Sequence, residues 1–211
     1  PTIFYYSGRI LDPEFAVSST VGTASVTNNM KPFDFTKEHS VGIIMYTADE
    51  LGISKGIIDT ISLYVHTAGS GQIPVRLYLK NDTTFVANGY PNLTPVLVNQ
   101  LYQNNWNNLT NGATLIVDGL FEFDQPGWYS FVIPGGFQYT GNSLLLMTEH
   151  HGKNTTLGYS APVFRSTNVP SVPNSTYNKR IVYYSTDNDF NPALGTMSQG
   201  TVRFNTKFGV S

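Results

Sequence analysis

Hydrophobic and polar positions alternate with a period of two through much of the chain. In "DTISLYVHT" (59–67), Ile61, Leu63 and Val65 alternate with Ser62, Tyr64 and His66. In "PVRLYLK" (74–80), Val75, Leu77 and Leu79 alternate with Arg76, Tyr78 and Lys80. Successive side chains of a strand point to opposite faces, so this pattern predicts strands with one face buried. Similar short runs predict strands over 2–6, 41–46, 95–98, 114–117, 128–133, 143–148, 180–184 and 201–208. Turn signals separate them: "GSG" at 69–71, "NGY" at 88–90, "TNG" at 110–112, "QPG" at 125–127, "PGG" at 134–136 and "TGN" at 140–142. Only "TADELG" (47–52) predicts a helical turn. Short strands joined by such turns predict an all-β fold, a jelly-roll-like β-sandwich in a single domain. Residues 1–40 are weakly patterned and are expected to form an extended N-terminal arm and a first strand, with the sandwich over 41–211. The Pro-, Ser- and Asn-rich segment 160–178 is expected to be a long surface loop.

Composition narrows the function classes. Charged residues are 12% of the 211, about half the usual share, and Gly, Asn, Thr, Ser and Tyr fill their place. Such a polar, uncharged surface suits an extracellular or particle-exposed β protein. The net charge is -2 and no basic patch is visible, which argues against nucleic acid as a partner. The absence of cysteine excludes disulfides, zinc–thiolate sites and cysteine nucleophiles. No run of 18 apolar residues suggests a membrane-spanning helix. Pro1-Thr2 fits either a chain that lost its initiator methionine without a signal peptide or an excised fragment.

From residue 41 to about 152 a set of motifs appears in order: "IMYTADELG", "GIIDTISLYVHTAG", "VRLYLKNDTTF", "PVLV" and "FEFDQPGWYSFVIPGGFQYTGNSLLLMTEHHG". This order resembles a jelly-roll module that recurs in surface-exposed and secreted proteins of the Bacteroidetes. Gly136 stands where that module usually has proline before the aromatic, and Ser143 interrupts its usual Asn-Leu step. The resemblance implies a binding or adhesion unit whose recurring residues are structural. Gly127 is expected to make a turn, Trp128 to cap a sandwich end, and Phe137 and Tyr139 to fill one face opposite Gln138.

Candidate chemistry is sparse. In "LLLMTEHHG" (144–152), Glu149 and His151 share one strand face and His150 takes the other. Glu149 and His151 could supply two metal ligands, with His39 or His66 as a third; the simpler reading is a core strand surfacing into a polar loop. Asp187, Asn188 and Asp189 cluster in "STDNDFNP", where oxygen ligands at such spacing can hold calcium, although the EF-hand spacing is absent. No other cofactor is implied. Glu122 and Asp124 alternate in "FEFDQ" and are expected to be two solvent-facing acids opposite Phe121 and Phe123. Nucleophile-elbow, zincin, phosphate-loop and dinucleotide motifs are all missing. Tyr102, Asn105, Trp106 and Asn107 lie in "LYQNNWNN", where aromatic faces beside amides suit a sugar ring.

The expectation is therefore a non-catalytic structural or adhesion unit of a large surface assembly, such as a virion, a tail-like particle or a filament. It would associate with copies of itself or other subunits through its N-terminal arm, by adding a strand to a neighbour's sheet. The alternative is a carbohydrate-binding or adhesive module of a larger secreted bacterial protein, with surface glycans as partners. Either places the chain outside the cell or on a particle surface.

Overall fold

The computed structural model describes residues 17–22, 26–28, 32–83, 105–152, 160–168, 181–188, 197–200 and 202–211. In chain order its strands are β1 (Val17–Val21), β2 (Val26–Asn28), β3 (His39–Tyr46), β4 (Gly56–Thr67), β5 (Ile73–Asp82), β6 (Thr114–Phe121), β7 (Gly127–Tyr139), β8 (Ser143–His151), β9 (Val163–Asn168), β10 (Ile181–Thr186), β11 (Ser198–Gly200), β12 (Val202–Phe204) and β13 (Thr206–Val210). Helix α1 (Ala48–Leu51) follows β3, and α2 (Trp106–Thr110) precedes β6. The strands form two antiparallel sheets, as expected of an all-β sandwich. The first runs β1-β13-β4-β9-β12, with β7 also on β4 and β2 also on β9; the second runs β11-β10-β3-β8-β5-β6. Sequence-distant β3 and β8 are neighbours in the second sheet and β4 and β7 in the first. Such long-return pairings are those of Greek-key and jelly-roll sandwiches.

The alternating patterns place the core. Ile61, Leu63 and Val65 of β4, Leu77 and Leu79 of β5, and Phe131 and Ile133 of β7 all point between the sheets. Phe33, Phe35, Phe123 and Phe164 stack and tilt against one another at one end, with ring centroids 5.1–6.4 Å apart. Strand β8 does not alternate, because it is central and covered on both sides. Leu144 and Leu146 enter the inter-sheet core, while Leu145 and Met147 enter a second cluster outside the sheet. That outer cluster joins Val41, Ile43 and Met45 of β3 to Trp106 and Leu109 of α2 and to Met197.

The Tyr-Thr-Ala-x-Glu-Leu turn is a clasp. Thr47 caps α1, and Glu50 completes the capping box. Glu50 Oε1 also accepts from Nε and Nη2 of Arg203, at 3.0 and 2.6 Å. Arg203 is 2% exposed, so this forked pair answers a charge that would otherwise be buried alone. Tyr46 lies beneath, within 2.9 Å of the Thr206 hydroxyl, and burial pushes its hydroxyl up to about 12.

Several local expectations are corrected. "PGG" (134–136) does not separate two strands; it lies within β7, where residues 133–136 stand opposite Asp59 alone as the register against β4 shifts between Ile58 and Thr60. Gly135 and Gly136 have φ of 78° and 70°, and a Cβ on Gly136 would meet Ile57 Cγ2 at 2.2 Å, so a bulge needs glycine here. Residues 163–168, expected in a loop, form β9, which β2, β4 and β12 all pair with. Within 1–40, where an arm and first strands are expected, β1 pairs with β13 and β2 with β9; β3 begins at His39. The runs at 2–6 and 95–98 and the turn at 88–90 lie outside the described residues.

Candidate functional site

Two groups of side chains stand out, one on the outer face of each sheet. On the second sheet, cross-strand register sets His39 opposite His151 and Val41 opposite Glu149, and Arg76 opposite Glu149 on the other side. Glu149 is 6% exposed and His150 1% exposed. The chain therefore does not surface after Met147 as expected; among the described residues of this strand only His151 is half-buried. On one face Trp106 of α2, itself 2% exposed, lies over Glu149; on the other, Phe35 packs against His150.

Glu149 is closely surrounded by donors. Its Oε2 accepts from the Tyr78 hydroxyl at 2.8 Å and from Trp106 Nε1 at 3.1 Å. Its Oε1 accepts from His151 Nε2 at 2.6 Å and lies 3.4 Å from Arg76 Nη1. Burial pushes this carboxyl up, but the hydrogen bonds from His151, Tyr78 and Trp106 outweigh it and hold the pKa at about 2. Burial first, and then the bond to this carboxylate, pushes the Tyr78 hydroxyl well above its ordinary value. A carboxylate so fully engaged is ionised at neutral pH and cannot serve as a general acid there. Its place is to lock α2 and His151 onto the sheet. On the opposite face, His150 Nε2 donates to the Lys37 carbonyl at 3.0 Å and Phe35 packs edge-on at 4.9 Å. Burial pushes the His150 pKa down.

The expected sugar site is rearranged by the same helix. Trp106 is buried rather than exposed, and its N–H is spent on Glu149, so it offers no open ring face to a saccharide. Asn105 is the N-cap of α2, its side chain accepting from the Asn107 N–H at 2.9 Å. Asn107 is exposed; Tyr102 lies outside the described residues. Of the expected calcium ligands, Asp187 pairs with Lys37 at 2.6 Å and accepts from the Glu38 N–H at 3.3 Å. The Asn188 N–H donates to the Thr186 hydroxyl, and Asp189 lies outside the described residues. Among the described residues no three metal-binding side chains are grouped to hold an ion. Glu122 and Asp124 are exposed opposite buried Phe121 and Phe123, as expected.

On the first sheet the outer face carries Ser62, Tyr64 and His66 of β4, Trp128 and Ser130 of β7, Arg165 of β9 and Lys207 of β13. Tyr64 is opposite Trp128 and Ser62 opposite Ser130. The Tyr64 and Trp128 rings meet edge to face at 5.1 Å and 86°. Arg165 Cζ lies 4.3 Å from the Tyr64 ring centre, and Lys207 Nζ lies 4.6 Å from that of Trp128. Arg165 Nε donates to His66 Nδ1 at 3.2 Å, and the Ser62 and Ser130 hydroxyls are 2.8 Å apart. Tyr64, His66, Trp128, Ser130, Arg165 and Lys207 are all half-buried. Trp128 thus belongs to an outward row rather than to a cap on the sandwich end. The available signal was phase: Tyr64 and Trp128 occupy the polar phase of strands whose other phase is aliphatic or aromatic core.

No protein-family model matches the chain, and no curated protein matches it. Among solved structures, it is similar to the cysteine protease and lectin-like domains of Cwp84, a surface-layer-associated protein of Clostridium difficile. There the TM-score is 0.43 and the identity 7%, over 82% of this chain and 32% of that one. A form of the clostridial cysteine protease Cwp84 after propeptide cleavage gives a TM-score of 0.46 and 7% identity, over 92% of this chain and 40% of that one. The chain thus spans less than half the length of either structure.

Proposed function

We propose that the chain is a non-catalytic, carbohydrate-binding or adhesive module of a larger secreted or surface protein, and that it meets its glycan on the outer face of the first sheet. The observation that carries this reading is the Tyr64–Trp128 row with Ser130, His66, Arg165 and Lys207 around it, Ser130 being held from below by buried Ser62. Aromatic rings pack on the apolar C–H faces of a sugar, and neighbouring hydroxyl and cationic donors answer its oxygens. The ordered motifs of residues 41–152, with their resemblance to surface-protein modules, support the same class. The engagement of Glu149 supports the non-catalytic part, because that carboxylate is held as a structural acceptor. The expected association through an N-terminal arm concerns a segment whose first 16 residues lie outside those described, and the described sandwich adds nothing to the particle-subunit expectation.

The test is a glycan array probed with the purified chain, followed by calorimetric titration of any hit. Trp128→Ala and Tyr64→Ala are expected to lower affinity at least tenfold, with circular dichroism unchanged. Absence of any glycan binding, or binding that survives both substitutions, would overturn the reading.

A further inference from the structure

We propose that His39 and His151 form a two-histidine site for a divalent first-row transition metal ion, held between their facing Nδ1 atoms, with Glu149 as the carboxylate behind it. The inference is independent of the glycan reading, because the pair lies on the other sheet.

The geometry comes from the ladder. His39 and His151 are directly opposed residues of neighbouring strands, at the end of β3 and the end of β8. Beyond them the Gly152 N–H donates to the Glu38 carbonyl at 2.7 Å, which fixes the backbone on both sides of the pair. The two rings stand 5.0 Å apart at 61°, and their Nδ1 atoms are 2.8 Å apart. Two imidazole nitrogens each about 2.0–2.1 Å from one ion sit roughly 3 Å apart. That contact is itself a hydrogen bond, so one Nδ1 carries its proton, and with Nε2 of His151 donating to Glu149 the donor is His39. The ion enters as His39 moves that proton to its own Nε2 or releases it to solvent, with a small rotation of either ring.

The chemistry of the donors agrees. Glu149 Oε1 is a carboxylate oxygen 2.6 Å from His151 Nε2, so Nε2 carries the proton and, in the neutral ring, Nδ1 carries the lone pair. A metal-bound histidine commonly donates its other N–H to such a carboxylate, which fixes tautomer and ring direction. Tyr78 and Trp106 in turn fix Glu149. The sequence expectation had Glu149 and His151 as joint ligands; instead they bond to each other, and His39 takes the second ligand position. The His151 side chain is 32% exposed, so the remaining coordination positions open to water or to a donor from a partner. Imidazole nitrogens favour Cu(II), Ni(II) and Zn(II), with Cu(II) bound most tightly, and not the hard ions Ca(II) and Mg(II).

The experiment is calorimetric titration of the metal-stripped full chain with Cu(II), Ni(II), Zn(II) and Ca(II) in a non-coordinating buffer, with electron paramagnetic resonance of the Cu(II) sample. One Cu(II) per chain is expected, with coupling to two imidazole nitrogens, weaker Ni(II) and Zn(II) binding, and no heat from Ca(II). His39→Gln and His151→Gln should each weaken Cu(II) at least tenfold and leave one coupled nitrogen. Glu149→Gln should weaken it by about 10–100-fold. Because the Glu149 variant also loosens α2, the two histidine variants decide the matter, with circular dichroism confirming that each is folded. Failure of the wild type to bind Cu(II), or wild-type affinity in both histidine variants, would overturn the proposal.

Discussion

Both sheets have an outer face, and the two faces are finished in opposite ways. The second sheet is roofed by α2 and Met197, and beneath them lie Val41, Ile43, Met45, Leu145 and Met147, all within 1% of full burial. At the edge of that layer buried Glu149 collects donors from Tyr78, Trp106 and His151. The first sheet has half-buried rings and cations over its outward row and no helix among the described residues. A strand that is covered twice must be apolar in both phases, or else pair every polar group that it buries. A strand covered once can spend its second phase on recognition. The aromatic residue on the roofed side, Trp106, is therefore a structural pin, while the one on the open side, Trp128, is half-buried beside Lys207 and is the ring we propose for glycan contact.

The largest expected effect separates those two tryptophans. Trp106→Ala removes a buried aromatic and one donor to Glu149, and should cost about 3–5 kcal/mol in chemical denaturation. Trp128→Ala, made on the open face, should cost less than about 1.5 kcal/mol. Equal losses would break the comparison. Acid sharpens it next. The folded pKa of Glu149 is held at about 2 against a usual 4.5, so its contribution is fully present above about pH 4.5. That contribution is lost as pH falls towards 2, and amounts to about 3 kcal/mol for such a shift. Stability measured from pH 7 to pH 2 should fall over this window in the wild type, and less in Glu149→Gln, which starts lower. A smaller effect belongs to the open face: Lys207→Ala loses its contact with Trp128 and should cost about 0.5–1 kcal/mol, measurable in the same denaturation series.

The sequence carried the fold wherever one strand face was polar. Strands β4, β5 and β7 alternate visibly, and the buried and exposed phases of Phe137, Gln138 and Tyr139 follow from that alternation. It carried less where context overrides pattern. "VFRSTN" lacks a clear apolar phase, and becomes β9 because three strands present edges to it. Helix α2 is five residues long, too short to show a helical period, and its Trp106 looked like a surface aromatic in an Asn-rich run. "PGG" has every mark of a turn, yet the bulge uses the same left-handed glycines within one strand. The site was less legible than the fold for a plain reason. His39 meets His151, Trp106 meets Glu149, and Tyr64 meets Trp128 only through strand register and helix placement. The separations are 112 residues for the histidines and 43 for Trp106 and Glu149.

The position of β13 has a consequence for how the molecule is made. Thr206–Val210 lies between β1 and β4, and Ser211 exchanges backbone hydrogen bonds with Ile57 at 3.2 and 3.0 Å. A chain synthesised from its N-terminus presents β1 and β4 long before the strand that joins them exists. Until residue 210 has left the ribosome, β4 offers an unpaired edge of amides and carbonyls flanked by Ile58, Ile61 and Leu63, a surface open to wrong strand partners. Closure also delivers Arg203 to Glu50, so the first sheet and the α1 clasp are completed together, late and by the same few residues. Nascent chains stalled with residues up to 201 exposed should accordingly bind a chaperone that chains exposing residues through 211 release.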